Sequence, residues 1–117
     1  MTCDAISTHG RKYIFVTSGE ISAEQDALEL LSACYEHETD LIMLPCECLS
    51  DEFLDLSTTL AGLFLQKLTN YGIKTAAIID TERLPERFRE FAYESAKGNV
   101  FRVFESIAAA EEWLVAD

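Results

Sequence analysis

Short runs of β-branched and aromatic residues alternate along this chain with stretches whose apolar side chains recur at helical spacing. "KYIFVTS" (12–18), "IKTAAII" (73–79) and "NVFRVFE" (99–105) read as strands. "LIMLP" (41–45) is apolar throughout, as expected of a strand covered on both faces. "DAISTH" (4–9), followed by Gly10, predicts a hairpin partner for the first of them.

Four helices fit between and after these strands. The first opens on Ser22-Ala23-Glu24-Gln25, a capping-box pattern, after which Ala27, Leu30, Leu31 and Cys34 fall on one face with Ala23. The second runs from about Ser57 to Tyr71 and ends at Gly72, a natural residue to follow a helix. The third spans roughly Pro85 to Lys97 and ends at Gly98. The fourth follows Ser106 and points Ala110, Trp113 and Leu114 inward. Strands alternating with helices imply right-handed βαβ units. The fold class is α/β: one domain over residues 1–117, with about five strands in a mixed, mainly parallel sheet and the first strand antiparallel at an edge.

The second helix is apolar over an unusually wide arc. Leu60, Ala61, Leu63, Phe64, Leu65, Leu68 and Tyr71 cover about 200° of its circumference at 100° per residue, twice the stripe a surface helix needs. Either neighbouring loops cover the surplus or another subunit does. A homodimer through this helix is the assembly that the second alternative implies.

Charge narrows the partners. The chain carries a net charge of −12. Eleven Asp or Glu and no Lys or Arg lie between Tyr13 and Gln66, and seven of the nine basic residues lie between Lys67 and Arg102. Nucleic-acid binding draws its affinity from phosphate neutralisation, so neither nucleic acid nor an anionic membrane is an expected partner; a protein, with a basic one the sharper case, is. No apolar run reaches the roughly 18 residues of a membrane span, and the N-terminus lacks the pattern of a signal peptide. A cytoplasmic location is the expectation, with Cys3, Cys34, Cys46 and Cys48 as free thiols.

Neither a metal nor a cofactor is expected. Cys34 and His37 belong at the start of the strand 41–45, and Cys46 and Cys48 at its end, about 16 Å away at roughly 3.3 Å per residue, whereas zinc–sulfur bonds are about 2.3 Å. No Walker loop, G-x-G-x-x-G or G-x-S-x-G is present, and neither His9 nor His37 falls at the carboxyl end of a parallel strand, where sites of α/β proteins form. That edge gathers Ser18, Pro45-Cys46, Asp80-Thr81, Glu105-Ser106 and the start of the second helix at Ser57. Ser57 or Thr58 is a good helix N-cap, worth about 1 kcal/mol, with Asp55 placing favourable charge before it. A phosphate there would be electrostatically welcome. Tyr93 falls among Glu86, Arg89 and Glu90 on the charged side of the third helix, as a packed-down surface residue or a partner contact.

"LAGLFLQKLTNYGIKTAAI" and "FREFAYESAKGNVFRVFESIAAAEEWL" resemble a family of small uncharacterised bacterial proteins, a domain of unknown function, over about Ile14 to Leu114. The most specific matches are Leu60-Ala61-Gly62, Gln66-Lys67, Asn70-Tyr71 and Tyr93-Glu94-Ser95 with Gly98. The implied fold is similar to STAS domains, the class of the anti-sigma-factor antagonists. In those, a regulatory serine starts the second helix, and Phe53-Leu54-Asp55 with Ser57 occupies the matching place, although Leu56 intervenes and the Asp-Ser-Ser-Gly core of that motif is absent. The resemblance implies a non-enzymatic regulatory or protein-interaction module with Ser57, Thr58 and Asp55 at its surface. The rival expectation is a small-molecule-binding or hydrolytic protein that uses Ser18, Asp80 and Tyr93.

Overall fold

The computed structural model describes residues 1–116, and the side chain of Arg83 lies outside that description. The hairpin forms first: β1 (Thr2–Thr8) pairs antiparallel with β2 (Arg11–Ser18) across His9 and Gly10. Both turn residues take positive φ, 50° and 76°, the geometry that suits the twist of a two-residue hairpin. Three further strands follow, β3 (Leu41–Leu44), β4 (Lys74–Ile78) and β5 (Phe101–Phe104), each parallel to the one before. The sheet order is β1-β2-β3-β4-β5, so the chain lays down its strands in sequence, with β1 and β5 at the edges. The α/β class, the single domain and the antiparallel edge strand are as expected from the sequence.

Five helices complete the described residues, four of them long: α1 (Asp26–Glu36), the short α2 (Asp51–Leu54), α3 (Leu60–Asn70), α4 (Glu86–Ser95) and α5 (Ile107–Val115). Sequential right-handed crossovers put α1, α3 and α4 on one face of the sheet. Ala27, Leu30, Phe64, Leu68 and Phe88 bury there against Ile14, Ile42, Leu44 and Ala77. The opposite face is covered by α5, whose Ala110 and Leu114 are fully buried against Tyr13, Leu41, Met43 and Ala76. Residues of β3 thus meet a helical layer on both sides, which explains a strand with no polar position.

Cation contacts fix the C-terminal end of α5. Arg11 donates to the carbonyls of Val115 and Ala116 at 3.2 and 3.1 Å. Lys74 donates to the Trp113 carbonyl at 2.6 Å while its ammonium sits 4.4 Å from the indole centroid. Basic groups at that end also oppose the negative pole of the helix. At the other end, Ser106 accepts from the amide of Ala109 at 3.2 Å, the N-cap its position predicts.

Three local expectations are corrected. The helix expected from Ser22 begins at Asp26, because the Asp26 carboxylate turns back to accept from the amides of Ser22 and Ala23 at 2.9 and 3.1 Å. The helix expected from Ser57 begins at Leu60, and the residues before it form α2 and a 3-10 turn, Leu56–Thr58. The helix expected to end at Gly98 ends at Ser95.

The wide apolar arc of α3 is mostly filled from within. Leu60, Ala61, Phe64, Leu65 and Leu68 are buried, whereas Leu63 and Tyr71 stay outside, 47% and 70% exposed. The surplus is taken up by α2, which delivers Phe53 into the core. Its ring centroid lies 5.8 Å from Phe64 and 5.9 Å from Phe88, and Phe88 passes the aromatic contact on to Phe91.

Candidate functional site

Phe53 is the fixed point from which the candidate residues project. Ser50 caps α2, accepting from the amide of Phe53 at 3.1 Å and donating to the carbonyl of Ile21 at 2.6 Å. Acids at Asp51 and Glu52 occupy the first turn, where the helix dipole favours them. Ser-Asp-Glu before the apolar pair Phe53-Leu54 is the sequence signal for this helix.

Beyond α2 the chain turns on Asp55. The Asp55 Oδ1 atom accepts from the Ser57 amide at 3.0 Å and from the Ser57 hydroxyl at 2.6 Å. These bonds, with Arg87 of α4 adding a smaller attraction, hold the Asp55 carboxyl below the ordinary carboxylate range. Asp55 is therefore the capping residue and Ser57 its partner, the reverse of the roles expected from the sequence. Thr58 ties the segment together: its Oγ1 lies 2.7 Å from the carbonyl of Glu52 and 2.8 Å from that of Asp55, and it accepts from the Leu60 amide at 3.3 Å. The residue at the cap position of α3 is Thr59, which makes no side-chain cap bond. It sits at φ 62°, a left-handed conformation that a β-branched residue seldom adopts.

The remaining rim residues do not join this cluster. Ser18, at the end of β2, borders a cavity of about 90 Å³ with Pro45, Glu47 and Cys48. Asp80 follows β4 and caps the turn after it, accepting from the Glu82 amide at 3.0 Å. Thr81 donates to Glu105 at 2.6 Å, joining the ends of β4 and β5. Tyr93 lies on α4, 70% exposed, with the Lys97 ammonium 5.3 Å from its ring. Adjacent strands stand roughly 4.8 Å apart, so two spacings separate the ends of β2 and β4, about 10 Å. Tyr93, above β5, is farther again. Open α/β sheets bind ligands where the strand order reverses, and an order that runs in sequence has no such crevice. Ser18, Asp80 and Tyr93 are thus three separate surface features.

The cysteines differ in environment. Cys34 and Cys48 are buried in the cluster on the α1, α3 and α4 face, and burial pushes both thiols up to about 12. Thiols so raised stay protonated at neutral pH, which does not suit nucleophilic attack. Cys46 is exposed and donates to the Glu47 carboxylate at 2.7 Å. Among the described residues no three His, Cys, Asp or Glu side chains gather as a metal site. Nor is any described helix long and apolar enough to cross a membrane.

A family model described as "Domain of unknown function (DUF4180)" matches residues 8–114, and the chain belongs to that family. No curated protein matches it.

Proposed function

We propose that this domain is a non-enzymatic interaction module of STAS type, which pairs with a second copy of itself through the outer face of α3 and is regulated at the turn of Asp55, Ser57 and Thr58. The observation that carries the reading is the character of that face. Leu63 is exposed on it among the uncharged Gln66, Thr69 and Asn70, Gly62 leaves open space where another residue would project a side chain, and Tyr71 is exposed just past its C-terminal end. No Asp or Glu occurs between Leu56 and Ile79, in a chain whose net charge is −12. The other long helices all carry carboxylates: Asp26, Glu29 and Glu36 on α1, Glu86, Glu90 and Glu94 on α4, Glu111 and Glu112 on α5. Two copies can therefore approach across α3 with the least like-charge repulsion. Thr59 supports the reading as well, because a strained residue at the entrance of this helix is the kind of feature that functional surfaces retain.

Regulation follows from the bond between Ser57 and Asp55. A phosphate on Ser57 would set a second negative group against the Asp55 carboxylate, so the turn would open at the edge of the paired face. Light scattering during size exclusion tests the assembly: a particle of twice the 13.1 kDa chain mass is expected. Leu63→Glu, at a half-exposed position, should return it to one chain mass with its circular dichroism unchanged. A single chain mass for the wild type at submillimolar concentration would overturn the pairing. Ser57→Asp should stay folded and dissociate more readily, and an unchanged dissociation constant would remove the regulatory part.

A further inference from the structure

β5 is an edge strand whose outward backbone groups have no backbone partner among the described residues. Its parallel pairing fixes which groups these are. Thr75 donates to the carbonyl of Val100 and Ile79 to that of Phe104, so residues 100, 102 and 104 turn their polar groups toward β4. Phe101 and Val103 then direct theirs away from the sheet, two donors and two acceptors in the spacing of a strand. Beside them runs a groove of about 230 Å³ between α4 and β5, lined by Leu84, Ala92, Tyr93, Ala96 and Val103, with Thr81 and Arg89 at its polar border. Val103 is partly exposed and points to the α4 side, as does the buried Phe101. Arg89 donates to the carbonyl of Leu84 at 3.1 Å, which holds its guanidinium at the mouth.

Charge distinguishes this surface from the rest of the molecule. Around the groove's outer wall stand Glu86, Glu90 and Glu94 with Arg89 and Lys97, a net charge of −1 where the whole chain carries −12. The border is thus of mixed sign, suited to a segment of little net charge. In the register that uses both Phe101 and Val103 of each copy, a second copy fits it poorly. Under a two-fold axis, antiparallel pairing of Phe101 with the partner's Val103 would bring the two Arg102 residues directly opposite one another, a destabilising like-charge pair.

We propose that the α4–β5 edge receives an extended segment of another protein, of low net charge, which adds as a sixth strand beside β5. The segment's main chain pairs with Phe101 and Val103, and its residue opposite Val103, on the same face of the sheet, lowers an aliphatic side chain into the groove between Ala92, Tyr93 and Ala96. Tyr93, held by Lys97, forms the outer wall. This surface is separate from α3, and neither assignment depends on the other.

The probe is a set of capped octapeptides in which Thr alternates with an apolar residue, closed by one Lys and one Glu. The central apolar position is varied through Ala, Val, Leu, Ile and Phe. Titration into isotopically labelled protein should move the amide resonances from Phe101 to Phe104, and slow hydrogen exchange at Phe101 and Val103 at least tenfold, for at least one branched aliphatic member. Val103→Pro deletes an outward donor without touching the ladder to β4, so it should fold and weaken binding at least tenfold. A peptide N-methylated at its pairing residues should bind equally weakly to the wild type. No binding by any member at millimolar concentration would overturn the proposal, as would binding that Val103→Pro leaves intact. Self-association of the wild type that Val103→Pro abolishes would also overturn it, by making a second copy the occupant.

Discussion

Two adjacent threonines should respond to substitution with opposite sign. Thr58 offers one hydroxyl proton to two carbonyls, those of Glu52 and Asp55, and receives the first amide of α3, that of Leu60. Thr58→Val keeps the branched shape and deletes the hydroxyl. One donated bond is worth about 0.5–1.5 kcal/mol net, and a cap acceptor about 0.5–2. The Leu60 bond is long, and water can reach the site, so the low end of both ranges applies: about 1–1.5 kcal/mol in all. Thr59 lies in the left-handed region at φ 62°, where a residue other than glycine spends about 1–2 kcal/mol. Asn tolerates that region better, so Thr59→Asn should gain about 0.5–1 kcal/mol after losing the short bond from the Thr59 hydroxyl to the Thr58 carbonyl. At roughly 2.1 cal/mol/K per residue, 117 residues give about 4 °C per kcal/mol. Calorimetry should therefore find Thr58→Val lower by about 4–6 °C and Thr59→Asn higher by about 2–4 °C. Ser57→Ala, which removes only an exposed partner of Asp55, should move by less than about 2 °C. If Ser57→Ala cost more than Thr58→Val, Ser57 and not Thr58 would hold the turn. If Thr59→Asn were destabilising, the left-handed entry to α3 would be wrong.

Two further outcomes follow from groups in the interior. Thr75 is buried on β4 with no hydrogen-bond partner for its hydroxyl among the described residues, so Thr75→Val, of nearly the same shape, should raise the urea midpoint by an amount worth about 1 kcal/mol; a lowered midpoint would mean that the hydroxyl is satisfied. Above pH 9 stability should fall, because the unfolded thiols of Cys34 and Cys48 ionise from about 9 while the folded ones hold their protons to about 12; the slope is at most about 1.4 kcal/mol per pH unit for each thiol, and Cys34→Ala should shallow it, whereas an unchanged slope would assign it to other groups.

The sequence carried the layers of this fold more plainly than its joints, and the difference has a physical origin. A strand such as β3 is covered on both faces, so each residue must be apolar and the run Leu41–Leu44 could hardly be read otherwise. Pairing order was also legible, since successive strands linked by helices pair as neighbours and in one hand. The stretch 50–60 was not, because short polar residues can hydrogen-bond their neighbours in several ways of similar energy. Asp55 and Ser57 can each cap the other's turn on paper. What decides between them is Phe53, whose burial between Phe64 and Phe88 fixes where α2 ends and thus where Asp55 must stand. A similar dependence hid the α4–β5 groove: Val103 and Tyr93 are ten residues apart and meet only once α4 has folded back over the edge strand. Periodicity reports which side of an element faces inward, and it says nothing of what two elements leave open between them. For a surface of this kind, the backbone groups of Phe101 and Val103 are the better guide, because their direction is fixed by the ladder to β4 whatever their side chains are.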